Sequence, residues 1–383
     1  MSWQLQGFDQ FEFIQQYWQK KPCLIRQAIP GYQSPISPEE LAGLSCEIDV
    51  HSRLVVEKDS DTPWSVSYGP FQEKDFTLLP ESHYSLLVSE CEKWIPEIAE
   101  LLDLFRFIPD WRIDDLMVSY APQGGSVGPH NDEYDVFLLH AQGSRKWLFT
   151  DNRVEQPELI PGLELAIMQN FSADQEAELI PGDMLYLPPG IAHHGIALDD
   201  CMTISIGFRA PAAIEVLESL TLEVARQKSA LKRYSDADLE TNRHFAEITK
   251  AEIDRFKAMV LSLIEQPQNV WVDSVGKLLS DTIATDNHQN QSSAQLDTLF
   301  NNDWIINSDS RMLYHHSDSD ITFFCNGRSY ALPNNDSVIE IIQDLCQFKF
   351  ISSDSLKACR LQKSLIEMFL EFEMSGTLIP AED

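Results

Sequence analysis

The chain has 383 residues, 60 of them acidic and 28 basic, for a formal charge of −32 and an isoelectric point near 4.5. Its length allows two or three domains with a sizeable core, and its 43% hydrophobic content is that of a globular protein. A field of this sign disfavours nucleic acid and anionic membranes and favours a basic partner.

No apolar run is long enough to cross a bilayer. The opening segment MSWQLQGFDQFEF has no basic stretch followed by an apolar one, so no secretion signal is expected. The 7 cysteines are odd in number and never spaced C-x-x-C, which reads as buried thiols in a cytoplasmic protein.

Residues 8–20 place Phe11, Ile14, Tyr17 and Trp18 at helical spacing, and KPCLIR then reads as a strand. Ser37 and Pro38 open a short helix over 37–46. Strands are expected at 51–57 and 64–68, and a largely helical stretch at 83–105, interrupted at Pro96. From 113 to 210 the texture changes to LMVSY, DVFLLHA, RKWLFT, DMLYLP and MTISIGF, strand-like runs between Gly- and Pro-rich connectors. Many short strands without long helices between them predict a barrel or double-sheet roll.

Helical periodicity returns over 212–265, in AAIEVLESLTLEVARQKSALKR and ITKAEIDRFKAMVLSLIEQ. Ile253, Phe256, Met259, Val260 and Leu263 form an apolar stripe on the second, read as intramolecular core ahead of an oligomer seam. A polar linker is expected at 281–297. The remainder reads as a small α+β module: strands MLYHH and ITFFCNGRSYALP, an Asn326-Gly327 hairpin turn, and helices over 337–348 and 361–373. It could be winged-helix-like, but it carries no basic recognition helix, so no DNA binding is expected. The fold class is therefore mixed α/β (α+β). Its boundaries are a barrel with N-terminal helices over 1–210, a helical region over 211–280 and the terminal module over 298–383.

Two segments carry chemistry: GPHNDEYD at 128–135 and PGDMLYLPPGIAHHG at 181–195. His130 and Asp132 are spaced i, i+2, so on a strand they share a face. Gly124, Gly125, Gly128 and Pro129 supply an irregular approach before them. Gly182, Pro188, Gly190 and His193 follow the spacing of the second cupin motif, and Gly124, His130, Asp132 and Gly143 resemble the first. That spacing selects His193 over His194, and neighbours on an extended chain face opposite ways. His140 reads as a packed or hydrogen-bonded histidine. Two imidazoles and a carboxylate can hold one face of Fe(II) and leave the other open. 2-Oxoglutarate fills two of the open positions and leaves the last for O2, and its C5 carboxylate needs a cation. Arg145 and Lys146 in GSRKW are neighbours, so one of them points inward, and a guanidinium suits bidentate recognition.

These segments, with YWQKKPCLIR, DWRIDDLMVSYAPQGGSVGPHNDEYDVFLL and MTISIGFRAP, resemble the JmjC-type 2-oxoglutarate oxygenases of the cupin-4 branch, and among them the bacterial ribosomal oxygenases. The resemblance spans the whole chain. It implies a JmjC/cupin double-stranded β-helix, a helical dimerisation region and a winged-helix-like terminal domain. It assigns Fe(II) to His130, Asp132 and His193, and the C5 carboxylate to Arg145, where many relatives have lysine. It implies C3 hydroxylation of an arginine in a basic large-subunit ribosomal protein, with succinate and CO2 as co-products, by a cytoplasmic homodimer. Ala197 stands where general cupin motifs have asparagine. Glu133, Tyr134 and Asp135 are expected at the barrel mouth, against the target side chain. The same chemistry on a histidine or another residue, a small-molecule cupin enzyme, or a non-catalytic cupin binding protein are the competing readings.

Overall fold

The computed structural model describes residues 3–58, 63–226, 233–239, 244–282 and 296–381. The chain divides into two compact units, Met1–Ala210 and Pro211–Asp383.

The first unit opens with helix α1 (Gln10–Gln16), capped by Asp9, whose carboxylate accepts from Glu12 N–H at 2.7 Å. Helix α2 (Pro38–Leu44) starts at a reciprocal Ser37–Glu40 capping box. Two short helices follow, α3 (Glu73–Thr77) and α4 (Pro96–Ala99). The strands are β1 (Cys23–Ile25), β2 (Ser52–Glu57), β3 (Trp64–Tyr68), β4 (Tyr84–Val88), β5 (Ile113–Ala121) and β6 (His130–Asn131). They continue with β7 (Asp135–Gln142), β8 (Arg145–Arg153), β9 (Gln175–Leu179), β10 (Met184–Leu187), β11 (Ile191–Ala197) and β12 (Cys201–Phe208).

The helical expectation for 83–105 is corrected at its start. Residues 84–88 form β4, paired with β2 and β5, while Cys91–Phe105 is helical in short pieces, a 3-10 turn at Cys91–Lys93, α4, and a 3-10 stretch at Glu100–Phe105. Residues 85–88 are all buried, and a strand covered on both faces has the unbroken apolar character of a buried helix segment.

Two sheets face each other. One has the order β1-β10-β7-β12-β5-β4-β2-β3 and the other β6-β11-β8-β9. This is the double-stranded β-helix the motifs implied. Along β7 and β12, alternate residues divide between two environments. Phe137, Leu139, Met202, Ile204, Ile206 and Phe208 join the core formed with Phe13, Leu41 and Phe105. Val136, Leu138 and His140, with Thr203 and Ser205, take the other face, toward the interior between the sheets, where Val136 and Leu138 pack with Trp147 and Phe149.

In the second unit, α5 (Ala213–Arg226) packs on α7 (Gln268–Ser280) around Leu220, Val224 and Val270. Residues 227–232, expected to prolong that helix, lie outside the described residues. Helix α6 (Lys250–Ile264) turns Leu263 toward this cluster and Phe256 against Tyr234, with ring centroids 4.7 Å apart. Ile253, Phe256 and Val260 remain exposed, so most of the predicted stripe is not intramolecular core. Of the expected linker, 283–295 lie outside the described residues, and α8 (Leu296–Asn301) follows.

Then come β13 (Trp304–Ile306), β14 (Met312–His316), β15 (Asp320–Cys325), β16 (Arg328–Pro333), α9 (Asp336–Phe348), β17 (Phe350–Ile351), α10 (Ser353–Ala358), α11 (Lys363–Ser375) and β18 (Leu378–Pro380). The strands form two three-stranded sheets, β17-β13-β18 and β14-β15-β16. Asn326 and Gly327 both have positive φ, 48° and 72°, as a tight hairpin turn requires.

Candidate active site

The strand registers bring both motifs to one place. His193 on β11 pairs with His130 on β6 and with Phe149 on β8. The Gly190 N–H, in the Pro-Pro-Gly turn, donates to the Asp132 carbonyl at 2.7 Å. His193 Nε2 lies 3.6 Å from Asp132 Oδ2, and His130 Nε2 lies 3.9 Å from Asp132 Oδ1. One ligand atom from each of the three residues lies within 4.8 Å of the others, and among the described residues no other group of three His, Cys, Asp or Glu does this.

Both imidazoles are oriented by main chain. His130 Nδ1 lies 3.0 Å from the Gly128 carbonyl, and His193 Nδ1 lies 3.0 Å from the Ile191 carbonyl. A carbonyl only accepts, so each Nδ1 carries the proton and each Nε2 presents a lone pair toward Asp132. Burial, and then the neighbouring His130, draw the His193 pKa down to about 4, which keeps the ring neutral. Neutral imidazole with carboxylate is the donor set that suits Fe(II). His194 takes the opposite face of β11, edge-on to Phe171 at 6.2 Å, outside the group.

Deeper in the barrel, Arg145 pairs with Ala197, and Trp147 with Gly195. Arg145 is buried, and its guanidinium carbon lies 5.6 Å from the Trp147 ring centre. Lys146 points out, ion-paired to Glu176 at 2.7 Å. Thr203 on β12 pairs with Ser119 on β5 and with His140 on β7, which sets a polar row across the interior. Arg145 Nε, Thr203 Oγ1, His140 Nδ1 and Trp147 Nε1 are all buried without a hydrogen-bond partner. Unmatched buried polar atoms are costly, and a polar ligand resolves them. A cation, a hydroxyl and an indole N–H in one pocket fit a carboxylate end.

The rim expectations are partly corrected. Asp135 is completely buried: Tyr186 donates to it at 2.6 Å, Arg112 at 2.9 Å and Gln19 at 3.0 Å. It ties the turn after α1 and the segment before β5 to β7 and β10, away from the rim. Glu133 is exposed and sits 4.0 Å from Arg153. Tyr134 is largely buried beside Asp132, and burial, then Asp132, push its pKa well up.

The acidic group beside Tyr134 was not singled out from the sequence. Asp115 on β5 lies within electrostatic reach of Tyr134, and it accepts from Glu90 N–H at 3.4 Å. Burial and then Asp114 raise its pKa to about 6. Behind it, Glu92 accepts from Leu116 N–H at 2.9 Å, and burial pushes it up to about 7. Alternation along DLMVSYA puts Asp115, Met117 and Ser119 on one face of β5, and that was the available signal.

A two-sheet barrel with a His–Asp–His cluster inside it defines a cupin-type metal-binding domain. The comparisons agree: the JmjC domain family matches residues 100–216. The chain is 40% identical over 258 residues to the ribosomal protein uL16 3-hydroxylase of Escherichia coli, covering 67% of this chain and 68% of that one. It is 41% identical over 228 residues to a probable ribosomal oxygenase of Haemophilus influenzae, 59% of this chain and 56% of the relative. The solved structure of YcfD, a ribosomal oxygenase from Escherichia coli in complex with cobalt and 2-oxoglutarate, superposes with a TM-score of 0.82 at 32% identity, covering 98% and 99% of the two chains. The chain belongs to the JmjC ribosomal oxygenases, and is thereby a 2-oxoglutarate-dependent oxygenase that takes Fe(II), 2-oxoglutarate and O2.

Proposed function

We propose that this enzyme hydroxylates C3 of an arginine side chain in a basic large-subunit ribosomal protein. His130, Asp132 and His193 hold Fe(II), and Arg145 receives the C5 carboxylate of 2-oxoglutarate. The observation that carries the substrate class is the half-buried pair Asp115 and Glu92, with Asp115 beside Tyr134, which in turn lies beside Asp132. A carboxylate kept partly from water seeks a cation, and a planar guanidinium supplies one with two parallel donors. The uL16 3-hydroxylase relative supports the ribosomal protein and the position of attack.

When bound, Fe(II) would let O2 supply the oxidising equivalents: one oxygen atom enters the succinate formed as 2-oxoglutarate loses CO2, and the other turns C–H to C–OH. The chain supplies positions. Arg145 draws the co-substrate inward, and Trp147 roofs the guanidinium. Tyr134 stands between Asp132 and Asp115, close enough to feel both charges. Asp115 anchors the far end of the substrate arginine, which presents its C3 toward the metal ligands. Anchoring matters because the oxidant removes the hydrogen that is held nearest.

The test is mass spectrometry of a ribosomal protein mixture incubated with enzyme, Fe(II) and 2-oxoglutarate. An arginine of uL16 gains one oxygen; a gain confined to histidine or lysine refutes the assignment. Asp115→Asn raises the KM for the ribosomal substrate by about 10–100-fold while leaving the KM for 2-oxoglutarate unchanged.

We infer further that 211–280 is a dimerisation region, 298–383 a winged-helix-like domain, and the working enzyme a cytoplasmic homodimer. The exposed Ile253, Phe256 and Val260 on α6 support a second copy covering that face. Sedimentation of a Phe256→Asp/Val260→Asp double variant shows a monomer where the parent is a dimer; an unchanged mass refutes the reading.

A further inference from the structure

His140 lies on β7, facing the barrel interior and wholly buried. Its main chain is fixed on both sides, donating to the Asp183 carbonyl at 2.9 Å and accepting from Gly182 N–H at 3.0 Å. Its Nε2 lies 2.9 Å from the Gly143 carbonyl. That oxygen has no hydrogen to give, so Nε2 carries the proton and Nδ1 is left as a bare lone pair. Nδ1 is buried and unmatched. So is the Nε–H of Arg145, two residues beyond the glycine that holds the ring. The charged groups facing the imidazole are Arg145 from β8, Asp199 after β11 and Asp183 before β10. Burial, followed by Arg145, draws its pKa down to about 4, so the ring is neutral at working pH.

A buried acceptor without a donor and a buried donor without an acceptor are each costly, and joining them removes both costs. A guanidinium offers a carboxylate either its Nη1–Nη2 edge or an edge that includes Nε. With Nε–H taken by an imidazole, only the Nη1–Nη2 edge remains. The two atoms are not bonded to each other in this structure; on the reading that Arg145 seats the C5 carboxylate, we infer that neutral His140 is a positioning residue: when 2-oxoglutarate engages Arg145, its Nδ1 takes the Arg145 Nε–H and turns the fork of the guanidinium toward the distal carboxylate. His140 thus selects dicarboxylates over shorter keto acids without touching them.

The experiment uses full-length protein loaded with Mn(II), which binds without turnover, titrated calorimetrically with 2-oxoglutarate and with pyruvate. Pyruvate keeps the keto acid and lacks the distal carboxylate. His140→Leu weakens 2-oxoglutarate binding about tenfold and leaves pyruvate unchanged. His140→Gln, which keeps an acceptor, restores 2-oxoglutarate affinity to within about threefold of the parent. Imidazole nitrogen NMR of metal-free protein shows the Nε2–H form, with the Nδ1 resonance displaced by 2-oxoglutarate and not by pyruvate. An unchanged 2-oxoglutarate affinity in His140→Leu, or equal weakening of both ligands, overturns the inference. Arg145→Ala separates the two readings. If it abolishes the preference for 2-oxoglutarate over pyruvate while His140→Leu does not affect it, only the role of His140 falls. If Arg145→Ala keeps the preference, the carboxylate seat itself is misplaced.

Discussion

Gly195 stands opposite Trp147 across the β11–β8 ladder, and a Cβ placed on it would lie 2.7 Å from the indole ring. The second motif thus ends in glycine because the ring lies over the backbone there. Gly195→Ala forces Trp147 deeper into the co-substrate pocket. We expect a stability loss of about 1–3 kcal/mol and a raised KM for 2-oxoglutarate. Thermal denaturation and tryptophan emission measure the two effects, and a variant unchanged in both removes this account of the motif.

His193 and His194 are adjacent but face opposite ways. His193→Ala removes a lone pair aimed at Asp132, so the purified variant retains little iron. His194→Ala removes a ring packed on Phe171 and keeps near-stoichiometric iron. Metal analysis of both variants after identical loading decides the point; equal retention rejects the proposed ligand set.

Asp135 governs folding, not substrate. Its carboxylate faces the Arg112 guanidinium at 2.9 Å in full burial. Asp135→Ala strands that cation and costs about 3–5 kcal/mol. The expected result is a sharp fall in denaturation midpoint, with substrate KM near the parent value for whatever fraction remains folded.

Glu92 gives a pH dependence of stated sign. Its pKa rises on folding from 4.5 to about 7, so the folded state binds the proton more tightly than the unfolded one. This contribution is full below the unfolded pKa and is lost as pH rises through about 7. Glu92→Gln keeps an acceptor for Leu116 N–H and removes the buried charge. At pH 8 it stabilises by on the order of 1–2 kcal/mol, and near pH 5 the gain shrinks toward nothing. Paired chemical denaturation curves at the two pH values measure it, and a gain independent of pH contradicts the burial argument.

The barrel was legible because its strands are short, β-rich and separated by turn residues, and because the spacing of the histidine motifs is set by the strand positions. His130, Asp132, His193 and Arg145 could be named since local alternation decides which neighbour faces inward. Asp135 could not be placed that way. Its side of the strand meets α1 and Arg112, which arrive from distant sequence, and no local pattern announces a buried ion pair. Asp115 and Glu92 were hidden for a related reason: each looks like an ordinary surface acid until β4 ends and leaves the edge of β5 to be capped. The helical expectation at 83–105 failed where a strand covered on both faces lost its alternation.

The imidazoles of His130 and His193 are steered by carbonyls of their own neighbourhoods, two residues upstream in each case. No remote side chain has to arrive for either ring to adopt its pose. The direction in which each Nε2 points is therefore set by main chain within two residues of the ring. Stripping the ion with a chelator and adding it back is a docking event on a finished surface, with no refolding step between.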